Sequence, residues 1–230
     1  MKIIAFPFAG GNKYSFNNFF PINYNTTILE YPGRGLRNKE DLIENINELV
    51  SNLLPQVKKE INSYNEYIIF GHSMGALVGY LICMEIEKLG LKLPVILVVS
   101  GTKSPRFYRE KIVSNLPNKA FWEEVSKLGG IPEELNNHPE LIEYFTPILK
   151  ADFRCIENYR YNKESPKLTI PIDVFYGSDE EITQEQAEAW QEETTTNVNV
   201  KKLKGNHFFI FDHKKFVKEY LKKLQLNATI

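Results

Sequence analysis

"EYIIFGHSMGALVGYLICMEI" (Glu66–Ile86) changes its periodicity midway, and that change decides the fold. The run Tyr67–Phe70 is aromatic and β-branched, which reads as a strand. From Ala76 onward the chain is apolar nearly all round, which suits a buried helix ending near Gly90. Between them Gly71-His72-Ser73-Met74-Gly75 forms a G-x-S-x-G pattern, entered from a strand and left through a helix. Five letters alone carry little, because any glycine-rich turn with an incidental serine matches them; the flanking strand and helix single this one out. In so tight a turn, side chains at Gly71 and Gly75 would collide with the neighbouring strand and helix. The turn lifts Ser73 above the sheet edge with its hydroxyl free. The helix behind it aims its dipole and N-terminal N–H groups at any negative charge developing there. Ser73 is therefore the candidate nucleophile.

Outward from this point, strand and helix signals alternate on both sides. That predicts an α/β fold with a mostly parallel central sheet flanked by helices. Upstream, "KIIAFPF" and "TTILEYP" are short strands closed by Gly10-Gly11 and by "PGRG". Leu42, Ile46, Leu49, Leu53, Val57 and Ile61 recur every three or four residues, predicting an amphipathic helix over 41–61 that Pro55 kinks or breaks. Downstream, "PVILVVSG" is an unbroken apolar run suited to a central parallel strand. From about Thr102 to Lys167 regularity lapses into short helical patterns broken by Pro117, Gly129-Gly130, Pro139 and Pro147. An inserted helical lid is the expectation, and a plain helical excursion packed on the sheet is the alternative. Alternation then resumes with "IPIDVFYG", "TQEQAEAWQEE", "NVNVKKL" and "DHKKFVKEYLKKL". Residues 1–230 thus read as a single domain with one insertion at about 102–167.

A chain of 230 residues can bury a substantial core, and 43% hydrophobic with 25% charged residues are globular proportions. A formal net charge of -1 argues against nucleic acid as a partner, since that requires a strongly basic face. No apolar run reaches membrane-span length, and Pro7 and Gly10 interrupt the N-terminus too early for a signal peptide. A soluble, cytoplasmic protein with no membrane partner is expected. Cys83 and Cys155 stand apart and off metal-binding spacing, so they read as buried free thiols.

A serine hydroxyl is almost wholly protonated at neutral pH and needs a base. Four histidines are available. His72 diverges from the site if Ser73 points into it, His138 lies on the surface of the insertion, and His213 falls on the first turn of the last helix. His207 sits in "KLKGNHFFIFD", the loop between the last strand and last helix, where a chain order of serine, acid, histidine places the base. The acid then belongs in the loop after the next-to-last strand, "VFYGSDEEIT". Asp173 lies inside the strand pattern and is the poorer candidate. Counting forward from Gly177 does not separate Asp179 from Glu180. Counting back favours Asp179. Thr183 and Gln186 read as a capping box with Ile182 and Ala187 as its hydrophobic staple, so the next helix starts at Thr183. Asp179, four residues before that cap, stays near the strand end. Glu181 serves the helix dipole or solvent, and Glu180 remains the rival.

With these residues in place the chain resembles the type II thioesterases, stand-alone α/β-hydrolases that serve nonribosomal peptide and polyketide synthases. The likeness runs from "FPFAGG" through "YPGRGLR", "GHSMGA" and "TPILKADFRCIENYRY" to "GNHFFI" around His207. It implies an α/β-hydrolase fold with Ser73 as nucleophile, His207 as general base and an aspartate at the position of Asp179. Asp179, Ile182 and Trp190 fit the family frame of an acid, two residues, an aliphatic residue and a Trp-bearing helix. The chain departs in its acid loop: Gly177 and Ser178 precede the acid where many members have a longer loop with paired glycines. The bend of "FPFAGG" beside the elbow is expected to bring the backbone N–H of Ala9 next to that of Met74 as an oxyanion hole. Arg34 in "YPGRG" has two readings, anion binding near the entrance or a structural turn role.

The reaction implied is hydrolysis of an acyl thioester on the phosphopantetheine arm of an acyl or peptidyl carrier protein, through an acyl-Ser73 intermediate. It removes stalled or misprimed acyl groups and calls for no metal or organic cofactor. Phe121, Trp122, Tyr144 and Phe145 either line an acyl pocket or pack the insertion. Lys103, Arg106, Arg109 and Lys111 are candidates for docking an acidic carrier. Two other readings compete: a carboxylesterase or lipase-like hydrolase using the same triad, and a non-catalytic binding module on the same fold.

Overall fold

The computed structural model of the chain describes residues 1–107, 111–130 and 138–228. Its strands are β1 (Lys2–Phe6), β2 (Asn25–Ile28), β3 (Tyr67–His72), β4 (Ile96–Ser100), β5 (Ile172–Gly177) and β6 (Val198–Leu203). All pair in parallel, in the order β2-β1-β3-β4-β5-β6. The direction of winding reverses between β1 and β3, since β1 leads outward to β2 whereas β3 leads the other way to β4. Open parallel sheets bind ligands beyond their carboxyl ends at such a reversal. "FPFAGG" leaves β1 and the elbow leaves β3 side by side at that point.

Alternate strand residues feed opposite faces of the sheet. Ile4, Phe6, Ile69, Leu97, Val99 and Val174 join one buried cluster with α1 (Ile46–Asn62) and α2 (Met74–Lys88). Ile3, Ala5, Ile68, Phe70 and Val98 face the other way, onto Phe16, Phe19 and the Val217 and Leu221 side chains of α6 (Lys214–Ala228). Covering on both faces is why β4 reads as a continuous apolar run. Cys83 and Cys155 are buried free thiols, and burial pushes the Cys155 thiol up to about 12.

Two helices differ from their sequence reading. α1 begins at Ile46, later than the apolar repeat from Leu42 predicts, because the Asn45 side chain accepts from the N–H groups of Asn47 and Glu48 and caps it there. It then runs unbroken through Pro55. The proline removes one hydrogen bond, and burial of Leu49, Leu53, Val57 and Ile61 along one face holds the helix against that loss. α5 (Gln184–Glu188) begins where the capping box predicts, with the Thr183 hydroxyl accepting from the Gln186 N–H and the Gln186 side chain accepting from the Thr183 N–H.

Segment 102–167 contributes no strand among the described residues; it carries α3 (Asn118–Ser126) and α4 (Pro139–Glu157), the latter continuous through Pro147. Phe121 and Val125 pack with Val113, Leu149 and Phe153 into a small apolar cluster of its own. The buried Glu157 carboxylate anchors the segment by accepting from the Val113 N–H at 2.7 Å and from the Ser114 hydroxyl. No helix of the described residues is long and apolar enough to cross a membrane.

Candidate active site

The elbow is built by contact between backbones. A Cβ on Gly75 would lie 2.0 Å from the Phe6 carbonyl oxygen and 2.6 Å from that of Pro7, so α2 starts against the loop that leaves β1. Ser73 has φ 55° and ψ -119°, a conformation that a side-chain-bearing residue adopts only where its surroundings impose it. Its N–H donates to the Ser100 carbonyl at the end of β4, at 2.8 Å. The hydroxyl therefore stands at the carboxyl edge of the sheet, at the N-terminus of α2.

Two loops deliver its partners. His207, in the loop after β6, places Nε2 2.8 Å from Ser73 Oγ. Its Nδ1 lies 2.7 Å from Glu180 Oε2, on a carboxyl side chain only 3% exposed. The other Glu180 oxygen accepts from the Gly177 N–H at 2.5 Å. A carboxylate can only accept, so Nδ1 carries the ring proton and Nε2 is left to accept from the serine.

The capping argument picked the wrong neighbour as the imidazole's partner. Asp179 is exposed; its Oδ1 accepts from the Ser178 hydroxyl at 2.7 Å. The reason lies in the loop backbone. Ser178 N–H donates to the Leu203 carbonyl and Asp179 N–H to that of Gly205, lacing this turn to the histidine loop. With the Asp179 backbone facing the histidine loop, its side chain faces solvent, and the next residue turns back in. Glutamate's extra methylene spans the remaining distance to Nδ1.

The other sequence candidates lie elsewhere. Asp173 accepts from Tyr220 Oη and Asn199 Nδ2, His138 pairs with Glu140, and His213 donates to the Lys204 carbonyl. Met74 opens α2 beside Ser73, and Ala9 packs against the same apolar cluster from the loop after β1.

His72 turns away from the serine hydroxyl, as expected, but it is not idle. Fully buried, it lies with its ring centre 5.2 Å from that of His207 and its Nδ1 3.1 Å from Ser100 Oγ. Burial, and secondarily the neighbouring His207, hold its pKa well below the ordinary imidazole range, so it stays neutral beside the His207 ring. Unfolded His72 gains a proton below about pH 6.5 whereas the native residue does not. The stability carried by the neutral ring is thus complete above that pH. It falls as acid is added, by up to about 1.4 kcal/mol per pH unit. In denaturant titrations His72→Gln should lose less stability between pH 7 and pH 5 than wild type; equal losses would mean that His72 titrates alike in both states.

A cavity of about 500 Å³ opens over Ser73 and His207. Leu77 forms part of its floor, and from segment 102–167 Phe107, Val113, Leu128, Phe153 and Ile156 supply an apolar wall, with Lys111, Glu124 and Lys127 also lining the cavity. Phe121, Trp122, Tyr144 and Phe145 are not on that wall. Phe121 is buried in the segment's own cluster, Trp122 Nε1 donates to Thr146 Oγ1, and Tyr144 is half-exposed. The basic cluster is partly neutralised, since Arg106 pairs with Glu192 and Lys111 with Glu124; Arg109 lies outside the described residues.

Residues 1–224 match the family model described as the thioesterase domain. The gramicidin S biosynthesis protein GrsT of Aneurinibacillus migulanus is 31% identical over 232 residues, spanning 98% of this chain and 90% of GrsT. RedJ, a thioesterase from the prodiginine biosynthetic pathway of Streptomyces coelicolor, superposes with a TM-score of 0.89 at 28% identity, covering 97% of this chain and 90% of RedJ. The type II thioesterase BorB from the borrelidin biosynthetic cluster superposes with a TM-score of 0.87 at 28% identity, covering 97% and 91%. The parallel sheet flanked by helices is thus the α/β-hydrolase-like architecture of these neighbours.

Proposed function

This chain belongs to the thioesterase family, and on that premise we propose that it hydrolyses acyl groups held as thioesters on the phosphopantetheine arm of a carrier-protein domain, using Ser73, His207 and Glu180. The observation that carries the reading is the unbroken chain of contacts from Ser73 Oγ through both nitrogens of His207 to Glu180, beneath a cavity with an apolar wall. The biosynthetic pathways to which GrsT, RedJ and BorB belong support the choice of a carrier-bound substrate. In this reading segment 102–167 is a lid on a single domain, its apolar wall receives the acyl chain, and the enzyme works in the cytoplasm.

Ser73 Oγ attacks the thioester carbonyl as His207 Nε2 takes its proton, and Glu180 stabilises the imidazolium through Nδ1–H. The carbonyl oxygen becomes anionic beside the Ala9 and Met74 N–H groups; losing one such donor typically costs about 3–4 kcal/mol. Collapse expels the pantetheine sulfur, which takes the imidazolium proton and leaves acyl-Ser73. Water, deprotonated by His207, then cleaves that ester, releasing the carboxylic acid and the free serine.

The test pits one acyl group on a phosphopantetheinylated carrier against its nitrophenyl ester. We expect the higher kcat/KM for the carrier-bound thioester. A clear preference for the ester would favour the carboxylesterase reading.

A further inference from the structure

Arg34, which the sequence left between two roles, is buried, and its partner is Asp152 on α4. The two guanidinium Nη atoms donate to the two carboxylate oxygens at 2.5 and 2.6 Å. Asp152 Oδ2 also accepts the Gly10 backbone N–H at 2.7 Å, and Arg34 Nη1 reaches the Gly11 carbonyl oxygen at 3.4 Å. Tyr31 lies under the guanidinium, 5.3 Å from ring centre to Cζ, and donates its hydroxyl to the Pro7 carbonyl at 2.8 Å. Gly10 has φ +76°, and a Cβ there would fall 2.7 Å from Leu149 Cδ2, so α4 rests directly on this loop. Pro7, Gly10 and Gly11 are each held from outside, and Ala9 sits among them.

We propose that the Arg34–Asp152 pair is a positioning device for the oxyanion loop, setting the direction of the Ala9 amide by gripping the Gly10 amide that follows it. The inference rests on the role given to Ala9 above. Backbone donors stabilise a developing oxyanion only if they are held in place before the charge appears. The stretch Pro7–Gly11 has no helix or strand of its own to hold it. An ionised acceptor makes the strongest tether for a backbone N–H. A bare carboxylate one residue from the donor would, however, oppose the negative charge of the transition state. Arg34 removes that opposition with a bidentate, always-charged fork, which a lysine cannot reproduce. Because Asp152 lies on α4, the seating of the inserted segment and the aim of the oxyanion donor become one property. Neither residue touches the cavity, so both act through the loop.

The test uses the full chain carrying Asp152→Asn or Arg34→Lys. It reads kcat and KM on the carrier-bound thioester and on a nitrophenyl ester. It also reads affinity for an alkyl trifluoromethyl ketone, whose adduct on Ser73 places an oxyanion in the hole. Positioning predicts that kcat falls on the order of 10-fold to 100-fold with KM nearly unchanged, and that ketone affinity falls in parallel. A merely structural pair would lower the melting temperature while leaving kcat and ketone affinity per folded molecule intact, and that result overturns the proposal. Should Asp152→Asn fail to fold, Arg34→Lys decides by the same readouts. The ester and ketone do not involve a carrier, so an enzyme that ignores the carrier-bound substrate would sink the substrate reading and leave this comparison standing.

Discussion

Glu180→Gln should lower kcat by about 10,000-fold, whereas Asp179→Asn should stay within about twofold of wild type. The larger effect follows from which atoms the glutamine would present. Gly177 N–H already claims one side-chain oxygen of residue 180, so it captures the amide oxygen and turns the amide NH2 toward His207 Nδ1. A donor facing Nδ1 drives the ring proton to Nε2, which then cannot accept from Ser73. The substitution is nearly isosteric, so the fold should survive, and thermal melting beside the kinetics would verify that. Asp179 faces solvent and accepts only from its neighbour Ser178, so neutralising it removes nothing the imidazole uses. Loss of turnover in Asp179→Asn with Glu180→Gln unharmed would reverse the assignment.

Ser73→Ala should lower kcat by about a million-fold, because among the described residues no other hydroxyl stands against His207 Nε2 and the residual rate would come only from binding and the oxyanion donors. The change leaves the elbow backbone as it is, so stability should move little. Activity remaining within about 100-fold of wild type, measured in single-turnover reactions, would place the nucleophile elsewhere.

The two loci differ in how they can be read from the chain. The elbow's signal is local: its strand and helix lie next to it in sequence and Gly71 meets Gly75 and Ala76, although Gly75 in turn meets the distant end of β1. The start of α5 is local too, a reciprocal pair of hydrogen bonds three residues apart. The choice between Asp179 and Glu180 is not. It depends on which way one peptide faces, and that is set by Leu203 and Gly205 on another strand and loop. Arg34 was ambiguous for the same reason, since its partner lies 118 residues away on α4. Of the two readings open for the aromatics of α3 and α4, packing within segment 102–167 is the one found, because those helices bury part of their apolar surface against each other. The cavity wall falls instead to Phe107, Val113, Leu128, Phe153 and Ile156, which no periodicity distinguishes.

Intact-mass spectrometry of a rapidly quenched mixture of the enzyme and an acyl-loaded carrier protein tests the central claim most directly. The account predicts that wild type strips the acyl mass from the carrier, that early time points show it on the enzyme and, after proteolysis, on the peptide containing Ser73, and that Ser73→Ala leaves the carrier loaded. Equal unloading by Ser73→Ala, or an acyl group trapped on another residue, would contradict it.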